Sequence, residues 1–197
     1  MSPNFSDEDR SLLDRFQKGD LSGFHDLFNK HKRNVINLSY RFVQNKEAAE
    51  DIAQEVFIKI YEKKFHLDPR AKFSTWLYKV TVNASIDRTR KKNFFDRSLD
   101  QTETDEEGGG KTLLETLSDP SAVSPADALA SDEIKKLVRT EVQKLPEKLK
   151  TPILLYQFEN LPYEEIARIL GVTPKAVERK IYHAKEILRR KLSKVLS

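Results

Sequence analysis

The chain has 197 residues, enough for one or two compact domains, and mixes 38% hydrophobic with 34% charged residues. It holds no cysteine, and its four histidines (His25, His31, His66, His183) lack metal-ligand spacing. These features argue against disulfides, thiolate sites and a zinc centre.

The N-terminus, Met1 to Arg10, is polar and acidic rather than leader-like, and no apolar run approaches the ~18 residues of a membrane span. The expectation is a soluble, cytoplasmic protein with no cofactor, no metal and no membrane insertion. The net charge of +4 is unevenly spread. Residues 98–133 carry ten acids and one base, whereas residues 1–97 sum to +5 and residues 134–197 to +8. That layout fits either a solvated surface with a tether or two phosphate-binding modules.

From the N-terminus, apolar residues recur at helical spacing and nowhere alternate as in strands. Ser6 with Asp9 resembles a capping box for a helix near residues 7–18. Phe24, Leu27, Phe28, Val35, Ile36 and Leu38 mark a longer helical stretch reaching about Val43.

A third helix is expected over 46–64, with Ala49, Ile52, Ala53, Val56 and Ile60 on its core side. Opposite lie Asp51, Gln54, Glu55, Ile58, Tyr61 and Glu62, the first four at i, i+3, i+4, i+7 spacing. This ridge is either a solvated acidic face with a stray isoleucine or a docking ridge with Ile58 and Tyr61 as apolar anchors.

The helix expected over 73–93 buries Phe73, Leu77, Val80 and Ala84 and turns Thr75, Lys79, Val82, Ile86 and Arg90 the other way. It ends in Arg88-Thr89-Arg90-Lys91-Lys92-Asn93, followed by Phe94-Phe95. Cations at a helix C-terminus are favourable without any ligand. Together with Asn83 and Trp76, they are also what unstacked single-stranded DNA requires. Trp76 itself reads as core or as stacking platform.

Residues 98–130, with Gly108-Gly109-Gly110, Pro120 and Pro125, read as a flexible acidic linker in which Leu113, Leu114 and Leu117 form a docking turn at most. Residues 1–97 and 131–197 are then the two domains. The second offers helices near 132–144, 147–159, 162–170 and 174–195.

Pro162 to Val177 has the layout of a helix-turn-helix. Pro162 suits a first helical turn, and Ile166, Ala167 and Leu170 are expected inside. Gly171 stops the first helix in the left-handed conformation, and Thr173 caps the second with Pro174 at its first position. Val177, Ile181, Ala184, Leu188, Leu192 and Val195 form the buried stripe of the second helix. Lys175, Glu178, Arg179 and Tyr182 point away from it, with His183 at the edge. A hairpin that only packs is the bland alternative, but the exposed cations favour DNA binding.

Three stretches together carry a family resemblance: Glu50-Asp51-Ile52-Ala53-Gln54-Glu55-Val56-Phe57; Phe73-Ser74-Thr75-Trp76-Leu77-Tyr78 with Asn83, Asp87 and Arg90; and Leu161-Pro162-Tyr163-Glu164-Glu165-Ile166-Ala167 with Gly171-Val172. In this order, around an acidic linker, they make the chain resemble the extracytoplasmic-function (ECF) sigma factors of bacterial RNA polymerase over nearly its whole length.

The resemblance implies an all-α protein of two small helical domains on a flexible acidic linker. It would bind core RNA polymerase and direct promoter-specific initiation, and it would be no enzyme. Asp51, Gln54, Glu55, Ile58 and Tyr61 would meet the polymerase. Lys72, Trp76, Lys79, Asn83, Arg90 and Lys91 would meet the -10 element, with an unstacked base near the His66–Lys72 loop. Thr173, Lys175, Glu178, Arg179, Tyr182 and His183 would meet the -35 element, about two helical turns upstream. An anti-sigma partner is implied, and a monomer when free.

Glu178, where many relatives carry a base, and the unusual Thr173-Pro174-Lys175 opening leave the promoter bases open. A stand-alone helix-turn-helix regulator would instead bind symmetric half-sites as a dimer, yet no dedicated dimerisation helix is evident. An enzyme would need a nucleophile set, a phosphate-cradling loop or paired carboxylates, and none is present.

Overall fold

In the computed structural model, residues 7–63, 72–99 and 125–193 are described, and among them every regular element is α-helical. The order is α1 (Asp7–Gln17), α2 (Leu21–Val43), α3 (Lys46–Lys63), α4 (Phe73–Leu99), α5 (Pro125–Gln143), α6 (Glu147–Glu159), α7 (Tyr163–Leu170) and α8 (Pro174–Ser193). None of these is long and apolar enough to cross a membrane. Ser6, the His66–Ala71 part of the loop before Lys72, the glycine run and the Leu113–Leu117 cluster lie outside the described residues.

Local chemistry sets the boundaries. Asp20 caps α2 by accepting from the Ser22 amide at 2.9 Å, and Asn45 caps α3 by accepting from the Ala48 amide at 2.8 Å. Gln44 and Asn160 close α2 and α6 in the left-handed conformation, with φ of 53° and 51°. Of the expected capping-box pair only Asp9 lies among the described residues. Its side chain is buried and accepts from His31 at 3.1 Å, and the Lys30 ammonium lies 2.8 Å away, so it ties α1 to α2.

The first core joins α1 to α4 through Leu27, Ile52, Val56, Ile60, Phe73 and Leu77, all at most 5% exposed. The expected α3 stripe is therefore inside, joined by Phe57. The second core is not confined to the C-terminal half. It combines Leu38 and Phe42 of α2 and Tyr78 and Val82 of α4 with Leu154, Leu155, Ile166, Val177 and Ile181.

Helix α4 is thus buried on two sides, which corrects the placement of Val82 and Ile86 on an open face. Val82 is 1% exposed and Ile86 packs against this second core. The helix also runs to Leu99, and α5 begins at Pro125, so helix occupies both ends of the 98–130 stretch.

Candidate nucleic-acid and polymerase interface

Three surfaces gather the candidate residues. On α3, Asp51, Gln54, Glu55, Ile58 and Tyr61 are all exposed. Ile58 and Tyr61 are 53% and 51% exposed, two large apolar side chains one turn apart on the same face. Their surroundings differ. Tyr61 leans on Phe24 and Phe16, with ring centroids 5.3 and 5.9 Å apart. Asp51 pairs with Arg88 of α4 at 2.7 Å. Asp51 also lines an open cleft of about 470 Å³ with Glu47, Arg88, Lys91 and Lys92. The structure therefore splits the acidic ridge: its N-terminal end belongs to the basic end of α4, and its C-terminal end to an aromatic corner of α1 and α2.

Helix α4 has three faces. At about 100° per residue, Phe73, Leu77, Val80 and Ala84 fall together and pack on the first core. Tyr78, Val82 and Ile86 fall about 170° away and pack on the second. Between them runs a ridge that carries Lys72, Trp76, Lys79, Asn83 and Arg90 within about 40° of one line. The Trp76 amide donates to the Lys72 carbonyl oxygen at 3.4 Å, which extends the ridge one residue before the helix.

Lys72, Lys79, Asn83, Arg90 and Lys91 are exposed. Trp76 is half-buried and stacks on Phe73 with centroids 6.1 Å apart. Its ring packs against the first core, and its helix position falls on the ridge line. Lys91 stands beside the ridge, in the cleft with Asp51.

In the C-terminal half, Gly171 stops α7 at φ +65°, and the Val172 amide returns to the Ala167 carbonyl at 3.0 Å. Thr173 caps α8, its hydroxyl oxygen accepting from the Ala176 amide at 3.2 Å. Pro162 is the residue before α7 rather than its first turn. Ile166, Ala167 and Ile169 are buried and Leu170 only partly so, a shift of one residue within the expected stripe. Val177, Ile181 and Ala184 hold α8 down. Thr173, Lys175, Glu178, Arg179, Tyr182 and His183 are all exposed, Tyr182 at 68%. Among the described residues, neither Lys175 nor Arg179 forms an ion pair.

The contacts that join the two halves escaped the sequence reading. Lys72 pairs with Glu165 of α7 at 2.8 Å. The Arg90 guanidinium meets Glu147 of α6 with two hydrogen bonds of 2.9 and 3.1 Å. Tyr78 donates to Glu159 at 3.1 Å. The Arg41 guanidinium nitrogen stands 3.7 Å from the same carboxylate and its plane lies 4.1 Å from the Phe158 ring.

Burial raises the pKa of Glu159 above the ordinary carboxylate value, although Arg41 and Tyr78 pull the other way. It likewise pushes the Tyr78 hydroxyl up, reinforced by the Glu159 charge and hydrogen bond. The available signal for these contacts was thin: a glutamate and an arginine at helix positions otherwise filled by apolar residues.

Comparison with known proteins places the chain among sequence and structural relatives. The family model "Sigma-70 region 2" matches residues 27–95, and "Sigma-70, region 4" matches residues 135–188. The ECF RNA polymerase sigma factor SigW of Bacillus subtilis is 35% identical over 186 residues, 93% of this chain and 96% of that protein. The solved structure of CnrH with the cytosolic domain of CnrY superposes with a TM-score of 0.64 at 20% identity, covering 95% of this chain and 98% of that one. The sigma factor RpoE from Bartonella quintana, solved with the anti-sigma factor NepR, gives 0.62 at 15% identity, covering 86% and 96%.

Proposed function

The chain belongs to the ECF sigma factors of bacterial RNA polymerase and directs promoter-specific initiation, and from that premise we propose how its surface divides the work. The C-terminal part of the α3 ridge, with Gln54, Glu55, Ile58 and Tyr61, docks on the polymerase, and Asp51 supports it through Arg88. The α4 ridge, with Lys72, Trp76, Lys79, Asn83 and Arg90, meets the -10 element, and Lys91 contacts its phosphates from the cleft. The opening turns of α8 read the -35 element, with Lys175, Glu178 and Arg179 towards base edges and Thr173, Tyr182 and His183 around them.

The domain boundaries that go with this division are residues 1–97 and 131–197. The protein works in the cytoplasm, where the polymerase is. Restraint by an anti-sigma partner is in keeping with the NepR-bound relative.

The observation that carries the division is the α4 ridge. Five residues spread from Lys72 to Arg90 fall on one solvent-facing line that combines cations, an amide and an indole, the set that grips unstacked bases and their phosphates.

Run-off transcription from genomic fragments with purified core polymerase, followed by start-site mapping, tests the division. Gln54 and Ile58 are the clean probes for docking, because Asp51 and Tyr61 also hold the fold. A Gln54→Ala/Ile58→Ala variant that folds normally is expected to lose holoenzyme formation by about tenfold or more, the scale of an interface anchor. Arg179→Ala is expected to relax one base position at a cost of about 1–3 kcal/mol. Undiminished holoenzyme assembly would remove the α3 assignment, and an unchanged promoter preference would remove the α8 assignment.

A further inference from the structure

Among the described residues, Phe94 is the most exposed of the large apolar side chains, at 73%. It stands one turn past Arg90 on α4, and at about 100° per residue it falls within the same narrow line as Lys72, Trp76, Lys79, Asn83 and Arg90. The ridge therefore ends in an aromatic ring on the solvent side of the helix. We propose that Phe94 is a further promoter-reading residue, whose ring meets the C5-methyl group of a thymine in the duplex just upstream of the -10 element. The inference rests on the assignment of the α4 ridge to that element.

A single exposed apolar side chain is ordinary on a protein surface, so the argument lies in its company and its place. Lys91 and Lys92 are both exposed and immediately precede Asn93 and Phe94, and Arg90 is exposed one turn back. An apolar protein groove that received the ring would have to desolvate these cations without partners, which is costly. A polyanion receives the ring and the cations together. Phosphate contacts set register but carry no sequence information, whereas a ring can touch a base.

Position selects the kind of base contact. Phe94 follows Trp76 by eighteen residues, which is about 27 Å along a helix and no more than about eight base steps at 3.4 Å each. The unstacked base is expected at the Lys72–Trp76 end. Opening runs from the -10 element towards the start site, so DNA beside the far end of the ridge is closed duplex. Stacked bases offer a ring no open face. In the major groove, which admits a helix, the apolar group on a base edge is the thymine methyl, and phenylalanine is among the side chains that meet it.

The test uses holoenzyme assembled from the full-length chain and core polymerase, on a mapped promoter randomised over the eight or so base pairs upstream of its -10 element. Templates that form open complexes with the wild type are expected to be enriched about threefold in thymine at one position, and those selected with Phe94→Ala to lose that enrichment. Replacing this thymine by deoxyuridine removes one methyl group. That should slow open-complex formation by the wild type about fourfold, the worth of one buried methyl, and leave Phe94→Ala unaffected. The comparison of thymine with deoxyuridine on the wild type needs no variant, so it stands whatever the substitution does to folding.

Absence of a preferred thymine, an enrichment that survives Phe94→Ala, or equal rates on the thymine and deoxyuridine templates would overturn the proposal. So would a helical Phe94→Ala chain that no longer assembles with core polymerase, because the ring would then dock on protein. Lys79→Ala/Asn83→Ala checks the ridge separately. Normal open-complex formation by that variant would remove the α4 assignment and this inference with it, a result distinct from a missing thymine preference alone.

Discussion

At Gly23 an added methyl group would lie 2.5 Å from the Leu12 carbonyl oxygen and 2.9 Å from the Phe16 amide nitrogen. Both are backbone atoms of α1 and cannot swing aside. Helix propensity favours alanine over glycine by about 1 kcal/mol in an open helix, whereas forcing atoms into a packed contact costs about 1–3 kcal/mol. Packing is expected to win. Gly23→Ala should lower the urea midpoint with the slope unchanged, and a raised midpoint would mean that α1 can slide without penalty. The tight crossing also sets the aromatic corner where Phe16 and Phe24 receive Tyr61, so one missing Cβ helps to place a candidate docking residue near the C-terminal end of α3. A single glycine inside a helical pattern is readable as a close approach, but only coordinates say what approaches it.

Helix α1 is held to α2 by a polar set as well as by Leu12, Leu13 and Phe16. Burial opposes the charge on Asp9, but hydrogen bonds from His31 and Lys30 outweigh it and hold its carboxyl below the ordinary value of 3.8. A carboxylate depressed in the folded state contributes stability that is present above its unfolded value and is lost as the pH falls through its folded value. Acidification below about pH 3.8 should therefore loosen α1 first. Hydrogen exchange by α1 amides should rise in that window, and Asp9→Asn should abolish the dependence; parallel behaviour in the two proteins would exclude Asp9 as its source.

The stop of α7 at Gly171 and the cap of α8 at Thr173 were legible in the sequence because caps and left-handed stops are local chemistry. The same holds for the exposed residues of α3 and α8, whose single core stripe leaves the opposite face outside. Helix α4 was legible only in part. Its periodicity located Phe73, Leu77, Val80 and Ala84, but a helix wedged between two cores has a second apolar face, and Val82 and Ile86 then look like stray residues on an open side. Thr81, Ser85 and Thr89 return their hydroxyls to carbonyls one turn back, at 2.8 to 2.9 Å, so these residues enter the interior without unsatisfied donors, which composition alone reads as polar surface.

Taken as one molecule, the protein joins its two halves through a contact that has its own dependence on pH. Charge distribution along the chain spoke of two cationic modules, yet it could not disclose that carboxylates of one module sit on cations of the other, because such pairing depends on docking. At the centre lies Glu159, whose burial keeps its pKa above 4.5 despite Arg41 and Tyr78. Parting the halves would return it to water and to its ordinary value. The docked arrangement of the halves therefore binds the proton more tightly than a parted one would. Its advantage is fully present below about pH 4.5 and is reduced as the pH rises through the raised value. Small-angle scattering of the free protein beside Glu159→Gln should show the wild type gaining compactness relative to the variant towards the acid end of this window, with the Asp9 effect confined to still lower pH. Glu159→Gln keeps an acceptor for the Tyr78 hydroxyl but cannot ionise, so it should flatten the dependence. A difference between the two proteins that stays constant across the window would place the pH-sensitive joint elsewhere, and a wild type that loses compactness relative to Glu159→Gln on acidification would reverse the sign assigned to this carboxylate.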